Sequence, residues 1–477
     1  MLFATYTYAV FLIVVLLLHA ALSLRGRQIM LLVASYLFYC WDTPVYGILI
    51  FASTVLDYLV GLGLERTENP QGRRALLGCS LLGNLGMLGF FKYGDFLGSN
   101  VVGLGHLLGF EGHWAPMGFI LPVGISFYTF QTLSYSIDVY RRQIPAERNL
   151  GTFSLYVCYF PQLVAGPIER AGHLLPQLNT FHPFRLDDIV AGAKRIFTGL
   201  FLKLVVADRL GILTDAVFAA PGQYSALATW MGVIAFAGQI YFDFASYASI
   251  AIGSARLFGV HLAENFNRPL VSVSIAEFWN RWHMTLTRWF HDYVFVPLGG
   301  FRRGGPRAAW NATVVLVICG FWHGARWNFV FWGAYHAILI TAYYAWKFHQ
   351  KRKGKRSRPV KGKFTLAMGV SVFVTFWCNI FGLVFFRSPD VATIGKMFRA
   401  GVGLHDGPVV PLDWTLGVYG AMLVIWLGME CWQEYGGLNE KWARVAWPVR
   451  AAAWGLLVAA TFLFAVNQQA PYIYFQF

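Results

Sequence analysis

The 477-residue chain is poor in charged side chains, which make up 13% of its residues. A soluble domain carries roughly 25% charged residues, whereas 57% of this chain is hydrophobic. One soluble core of this length cannot bury so much apolar surface, so a lipid bilayer must cover much of it. The composition therefore excludes a soluble protein and indicates an integral membrane protein.

Several chemical signatures are missing as well. The chain has only 23 Asp and Glu residues but 38 Lys and Arg residues. The acids form no cluster that suggests a metal or proton-relay site, so we expect no bound metal. The six cysteines are scattered singly, without a CxxC pair or ligand spacing, and are interpreted as small apolar side chains. No nucleophile elbow, Walker loop, dinucleotide fingerprint or His-Glu-x-x-His sequence occurs where it could function.

Long apolar runs recur from one end of the chain to the other, and several are shorter or longer than the ~20 residues that a simple spanning helix needs. We therefore predict an all-α polytopic protein with about eleven spans plus re-entrant or interfacial pieces. A single domain over residues 1–477 is expected, and the first run should be a retained span. The runs are Leu2–Leu24, Ile29–Tyr39, Pro44–Leu64, Ala75–Phe91, Met117–Ser134, Ile189–Ala207, Ala226–Phe258, Ala308–Trp346, Phe364–Phe386, Leu416–Cys431 and Ala446–Val466.

Basic residues lie in short loops between these runs, which is how orientation in a membrane is encoded. The net charge of +15 is therefore assigned to topology, and no nucleic-acid binding is expected. The densest group, with nine Lys and Arg and no acid, lies between Lys347 and Lys363. This loop is predicted to be cytoplasmic, which puts the C-terminus outside, and Arg25/Arg27 on the inside put the N-terminus outside as well. Arg25/Arg27, Arg73/Arg74 and Arg302/Arg303/Arg307 are predicted on the same cytoplasmic side.

Polar residues inside apolar segments are candidates for function, and His283 is the first of them. Ser274 followed by Glu277 is a capping box, which predicts the start of a helix. On that helix Trp279 and Asn280 lie one turn before His283 and share its face. The alternative is a histidine that is merely hydrogen-bonded within an interfacial helix.

His323 lies in Trp322-His323-Gly324, halfway along the apolar run Ala308–Trp346. Basic loops at both ends of the run favour a helical hairpin with His323 near its apex, and one long tilted helix is the alternative. A histidine at this depth needs a polar partner or a water path. Its near-neutral pKa also makes it the obvious general base.

His336 follows His323 by 13 residues. If one continuous helix joined them, about 20 Å would separate the two residues along its axis. They could then not act on the same atom, so His283 is the expected partner of His323. We interpret His336 as a supporting or structural residue.

Asp243 is a possible intramembrane acid in the run Ala226–Phe258. Gly and Pro at membrane depth, in 121–124 and 161–167, predict an enclosed cavity, because protein or water must satisfy the freed backbone groups. Such a cavity also fits a transporter or channel for a small solute. Against that alternative, the two halves of the chain contain no matching pair of interrupted segments.

Taken together, these segments resemble the membrane-bound O-acyltransferase family, in the bacterial branch that contains alginate and peptidoglycan O-acetyltransferases and the D-alanine transferase of teichoic acid. They follow the family's order over roughly residues 90–390, the best-matching core. The matching segments are Lys92–Tyr93, Leu121–Gln131, Ile137–Arg141, Phe160–Ile168, Tyr241–Phe244, Asn265–Pro269, Glu277–His283, Asp292–Tyr293, Pro297–Gly300, Gly320–Gly324 and Trp327–Phe329. Two positions depart from the pattern: His291 replaces an arginine, and Ala245–Ser249 replaces a more polar run.

The resemblance implies that His323 is the active-site histidine and that His283 is a second histidine nearby. It implies a ring of helices around a thinned centre, where a cytoplasmic and an outer funnel meet. There His323 would deprotonate or orient a hydroxyl that attacks the thioester of acetyl-CoA. Six other residues are expected to bind substrate or support the histidines: Trp279, Asn280, Trp322, Asn328, Asp243 and His336.

The resemblance also implies a cellular setting, the inner membrane of a bacterium. The acceptor would be an exported or envelope polysaccharide such as alginate, peptidoglycan or cellulose. The chain has no soluble domain that could deliver the acyl group to such a polymer. An extracytoplasmic partner similar to SGNH hydrolases is therefore expected.

Overall fold

A computed structural model describes residues 1–119, 121–302, 304–353, 365–405, 409, 414–466 and 471–473. Every regular element in these residues is helical, which confirms the predicted all-α class. The α-helices in these ranges are α1 Tyr6–Ala21, α2 Leu24–Cys40, α3 Tyr46–Arg66, α4 Pro70–Leu88, α5 Gly94–Leu107, α6 Ile125–Tyr140, α7 Leu150–Cys158, α8 Ala171–Leu178, α9 Leu186–Phe201, α10 Asp208–Ala219, α11 Ala226–Leu257, α12 Ile275–Arg281, α13 Met284–Phe290, α14 Gly305–His323, α15 Trp327–Arg352, α16 Leu366–Arg387, α17 Val391–Gly401, α18 Trp414–Tyr435, α19 Leu438–Ala443 and α20 Trp447–Phe464.

Five helical stretches are long and apolar enough to cross a membrane: Tyr46–Arg66, Pro70–Leu107, Ala226–Leu257, Leu366–Arg387 and Trp447–Phe464. α1 is apolar too, but it has only 16 residues. These helices support a polytopic membrane protein, while the count of eleven spans and the central funnel stay predictions. Of the basic loop predicted over 347–363, residues 354–363 lie outside the described part of the chain.

The chain divides into two compact units. The first comprises Met1–Gly199 and Tyr247–Glu264, and the second comprises Leu200–Ser246 and Asn265–Phe477. The chain passes between them within α9, within α11 and again after Glu264, so neither unit is one continuous stretch of sequence. The expectation of a single domain over 1–477 stays a prediction.

In the first unit, one buried carboxylate ties α3, α4 and α6 together. Asp57 lies in the middle of α3 and has no exposed surface. Its Oδ1 accepts hydrogen bonds from the hydroxyls of Ser80 and Ser136, and its Oδ2 accepts one from Asn84 at 2.7 Å. Burying a charge costs a great deal unless it is paired and hydrogen-bonded. The three donors therefore explain how an acid is tolerated inside this apolar helix.

Replacing Asp57 with Leu leaves these three donors without their acceptor. Each buried unsatisfied polar group costs about 1–3 kcal/mol, so thermal unfolding in detergent should occur at a clearly lower temperature. Asp57→Asn keeps one acceptor oxygen and should fall between Asp57→Leu and wild type. Ser99→Ala, on the exposed side of α5, is the control that should unfold like wild type. An unchanged unfolding temperature for Asp57→Leu would contradict this account.

In the second unit, α14 and α15 form an antiparallel hairpin. α14 ends at His323, Gly324 is extended with φ −168° and ψ 150°, and α15 begins at Trp327. The two helices then pack against each other. The hairpin interpretation is therefore confirmed, and the single long helix is wrong.

Glycine at the interface permits the close approach of the two helices. A Cβ on Gly320 would collide with the carbonyl oxygen of Phe329, and one on Gly333 would collide with that of Leu316. Only residues without a side chain fit at these positions. The packing holds the end of α14, with His323, beside the first turns of α15.

Candidate active site

The helix predicted through His283 begins where expected but is broken at the histidine. The hydroxyl of Ser274 accepts a hydrogen bond from the amide of Glu277, as the capping box predicts. α12 then ends at Arg281 and α13 begins at Met284. His283 itself has left-handed backbone angles, φ 41° and ψ 56°. The prediction that one helical face carries His283 together with residues one turn before it is therefore wrong.

Asn265 explains the break. Its Oδ1 accepts hydrogen bonds from Nδ1 of His283 at 3.1 Å, and from the amide and hydroxyl of Thr285 at 3.2 and 2.9 Å. Its backbone carbonyl accepts a hydrogen bond from the amide of Met284. The carbonyl of Arg281 accepts one from the amide of Asn267. This segment therefore satisfies the backbone groups that the helix leaves free on either side of His283.

The same contacts assign the tautomer of His283. The amide of Thr285 donates to Oδ1 of Asn265, so this atom is the amide oxygen and Nδ1 of His283 must donate to it. Nε2 then carries the lone pair. His283 lies between two seven-residue helices, outside the spanning helices, and burial lowers its pKa to about 3. The ring is therefore neutral near pH 7 and presents an acceptor that can orient a hydroxyl.

His323 lies at the end of α14 inside a cluster of aromatic rings. It is buried, and its ring centroid is 4.9 Å from that of Trp322 and 5.2 Å from those of Trp332 and Phe386. The ring of Trp322 also lies 6.1 Å from that of His283. Trp322 therefore contacts both histidines, and the structure brings the two residues predicted to act together into one site.

His336 also lies at this site, because the chain reverses at Gly324. Its ring centroid is 4.8 Å from that of Trp332 and 5.3 Å from that of Trp279. His336 and His323 both line a cavity of about 20 Å³. The separation of about 20 Å expected for one continuous helix therefore does not apply.

A larger cavity, of about 160 Å³, lies along the hairpin. On α14 it extends from Ala312 to Cys319, a rise of about 10 Å, and Cys319 lies one turn before His323. Trp279 and Asn280 also line this cavity. The ring of Trp279 contacts the ring of His336, which connects the cavity lining to the histidine site. The lining residues are Ala276, Trp279, Asn280, Thr287, Phe290, His291, Phe295, Phe301, Ala312, Val315, Leu316, Cys319, Ile340 and Tyr344.

Asn328 supports the site from the first turn of α15. Its buried side-chain amide donates to the backbone carbonyls of Phe385 and Phe386 at 3.3 and 3.4 Å. These carbonyls belong to the last turn of α16, which has no helical donors left for them. Asn328 therefore fixes the end of the helix that places Phe386 against His323.

Asp243 belongs to a separate charged cluster. Its Oδ1 accepts from Nζ of Lys203 at 2.6 Å, and its Oδ2 accepts from the amide of Ile473 at 2.7 Å. Lys203 also pairs with Asp208 at 2.8 Å. The next residue along α11, Phe244, contacts the ring of His283 at 4.7 Å. Asp243 is thus buried in an ion-pair cluster, and no contact joins it to the histidines in the described residues.

Sequence reasoning missed three contributors to the site. Asn265 was recognised only as part of a matching segment, although it organises His283. Trp332 and Phe386 surround His323 but lie in ordinary aromatic-rich helices, so no local signal marked them. Lys203 of the separate charged cluster could have been found, because a cation within the apolar run Ile189–Ala207 requires a buried counter-charge. Within the described residues, no group of His, Cys, Asp or Glu could hold a metal ion.

The fold and the site together are those of a polytopic helical membrane protein with two buried histidines beside a cavity. The model of the membrane-bound O-acyltransferase family matches residues 147–386 of the chain. The chain belongs to this family and is an O-acyltransferase.

Similar proteins include bacterial acyltransferases of the cell envelope. The probable alginate O-acetylase AlgI of Pseudomonas putida is 33% identical over 480 residues, covering 95% of each chain. The peptidoglycan O-acetyltransferase of Helicobacter pylori is 32% identical over 406 residues, 79% of this chain and 74% of that protein. The teichoic acid D-alanyltransferase of Bacillus subtilis is 27% identical over 290 residues, 57% and 70% respectively.

Asn265→Ala should lower both the stability and the activity of the protein. It removes the shared acceptor of His283 and Thr285, and each buried group left unsatisfied costs about 1–3 kcal/mol. Asn265→Asp keeps the acceptor oxygen and should retain most of both properties. Asn267→Ala is the control, because its exposed side chain is lost while its backbone bond to Arg281 remains. Thermal unfolding and acyl-transfer activity measure the effects, and equal values for Asn265→Ala and wild type would refute the role of Asn265.

Proposed function

We propose that this enzyme transfers an acetyl group from acetyl-CoA to a hydroxyl that serves the O-acetylation of a cell-envelope or exported polysaccharide. The observation that carries the proposal is the pair of buried histidines, His283 and His323, on either side of Trp322. The named activities of similar proteins, alginate and peptidoglycan O-acetylation, support acetyl as the group transferred.

The two histidines have different roles in the proposed reaction. His283 donates through Nδ1 to Asn265, so its Nε2 can accept a hydrogen bond from a second donor group of the acceptor molecule and orient that molecule. His323 removes the hydroxyl proton as the oxygen attacks the thioester carbonyl. The C–S bond then breaks and the proton passes to the sulfur, which yields the ester and free CoA. No covalent acyl-enzyme is required. The aromatic rings around His323 keep bulk water away from the thioester.

The larger cavity is the proposed route of the acyl donor. It runs from Phe301 and Tyr344, at the basic end of the hairpin, to Cys319, one turn from His323. Phe301 is followed by Arg302, and Arg307 lies in the first turn of α14, both exposed. Positive charge at this end attracts the anionic phosphates of CoA. The apolar lining suits the pantetheine arm and the acyl group.

The proposed orientation follows from the basic loops. The loops at the ends of the hairpin are rich in Lys and Arg, which favours the cytoplasmic side of the membrane. The donor therefore enters from the cytoplasm. The chain resides in the bacterial inner membrane with both termini outside. An extracytoplasmic SGNH-hydrolase-like partner receives the acyl group and passes it to the polymer. Alginate, peptidoglycan and cellulose are the candidate acceptors.

His323→Ala should abolish acetyl transfer by the purified protein in nanodiscs. A general base contributes roughly 10²–10⁴-fold to a rate, so turnover should fall by at least that factor. The measurement is release of the CoA thiol from acetyl-CoA with alginate oligosaccharide as acceptor probe. His19→Ala, a buried histidine of the first unit, is the control and should stay active. Equal turnover by His323→Ala and wild type would show that His323 is not the base, and no CoA release by wild type with its extracytoplasmic partner present would contradict the proposed donor.

Cys319→Phe should obstruct the donor route. The larger ring would occupy part of the 160 Å³ cavity one turn from His323, so KM for acetyl-CoA should rise. Overpacking also costs about 1–3 kcal/mol, so correct folding is checked by size-exclusion chromatography. Cys79→Phe, at an exposed position of α4, is the matched control. An unchanged KM in a folded Cys319→Phe protein would show that the donor takes another path.

A further inference from the structure

The small cavity beside His323 has the size and lining of a site for one water molecule. Its volume is about 20 Å³, and a single water needs at least about 10–15 Å³. Two histidines and an amide line it, His323, His336 and Asn379, together with aromatic rings that include Trp332 and Phe386. A dry cavity is apolar, so the three polar side chains indicate a hydrated one.

Two of these side chains carry buried atoms whose hydrogen bonding is incomplete. Within the described residues, neither Nδ1 of His336 nor Oδ1 of Asn379 has a hydrogen-bond partner. The side-chain nitrogen of Asn379, Nδ2, donates to the carbonyl of Thr375 at 2.8 Å. The side-chain oxygen, Oδ1, can therefore accept a hydrogen bond from another group. An orphaned buried N–H group is rare. The bare Nδ1 of His336 therefore favours the tautomer with the proton on Nε2.

Gly382 leaves space next to that Nε2. A Cβ at this position of α16 would lie 3.0 Å from Nε2 of His336, closer than side chains normally approach. Gly382 lies one turn from Asn379 and Phe386, both of which line the cavity. The glycine therefore keeps the Nε2 edge of His336 open on the side where α16 contributes to the cavity.

We propose that one water molecule in this cavity accepts hydrogen bonds from Nε2 of His336 and from one ring nitrogen of His323, and donates one to Oδ1 of Asn379. Three bonds are typical of a buried water. His336 is then a positioning residue. The water holds the proton on the ring nitrogen of His323 that donates to it, so the lone pair lies on the other ring nitrogen, which takes the proton of the attacking hydroxyl. The inference rests on the proposed function, in which His323 is the base.

This arrangement predicts an effect on kcat and not on KM. His336 does not line the larger cavity through which the donor is proposed to enter, so acetyl-CoA should bind as before. The bond from His323 to the water becomes charge-assisted when His323 is protonated, and such bonds are about twice as strong as neutral ones. Loss of the water should therefore slow the step in which His323 carries the proton.

Glutamine and asparagine at position 336 distinguish this role from a structural one. The amide nitrogen of glutamine can replace Nε2, whereas that of asparagine lies near the position of Nδ1. In nanodiscs, with acetyl-CoA and alginate oligosaccharide, His336→Gln should keep kcat within a few-fold of wild type. His336→Asn should lower kcat at least about tenfold, part of the ~10²–10⁴-fold of general base catalysis, at unchanged KM. Equal activity of the two variants would overturn the proposal.

Gly382→Ala tests the same site without touching a histidine. The added methyl group should displace the ring or the water and lower kcat, although alanine favours a helix more than glycine does. Gly428→Ala in α18 is the matched control, because a Cβ there meets no atom within 4 Å. A Gly382→Ala enzyme with the kcat of Gly428→Ala would count against the water.

A density map that resolves ordered water tests the proposal independently of turnover. The expected feature is one peak within hydrogen-bonding distance of His323, His336 and Asn379. A map of that quality without the peak would overturn the proposal. An inactive wild-type enzyme that shows the peak would instead contradict the proposed function alone. Loss of activity in His323→Ala, with all His336 variants fully active, would retain the function and reject the water.

Discussion

The oxygen of one asparagine side chain organises the centre of the second unit. Oδ1 of Asn265 accepts a hydrogen bond from Nδ1 of His283 and two from Thr285. Without that acceptor the break between α12 and α13 would leave polar groups unsatisfied in an apolar interior, where each is costly. The position of His283, the direction of its lone pair and its contact with Trp322 all follow from this interaction. The aromatic packing around His323 then completes a site with few charges.

The all-helical membrane class could be predicted because membrane burial leaves a strong signal in composition. Apolar runs identified most helices, and the basic residues that flank Ala308–Trp346 favoured the hairpin that the structure contains. The position of His323 at the turn of the hairpin could also be predicted from the sequence, whereas its catalytic role stays a prediction. The proximity of His323 to His283 depends on folding, and the ring of Trp322 contacts both histidines.

The details that could not be predicted are those set by distant parts of the chain. Helical periodicity placed His283 inside a continuous helix, because nothing local shows that a segment 18 residues earlier takes over the backbone hydrogen bonds. The role of Asp243 was equally hidden, since its partner Lys203 comes from a different helix. His336 was assigned on the assumption of a straight helix, and the turn at Gly324 brings it to the cavity of His323.

The left-handed backbone of His283 affects how mutational scans of this site are interpreted. Histidine and asparagine adopt this conformation more readily than most residues, whereas a typical side chain pays roughly 1–2 kcal/mol for it. Alanine at position 283 would therefore add backbone strain to the loss of the imidazole, while alanine at position 323 would not, because His323 ends a regular helix. An alanine scan would thus overstate the chemical contribution of His283 relative to His323. Asparagine at position 283 separates the two effects.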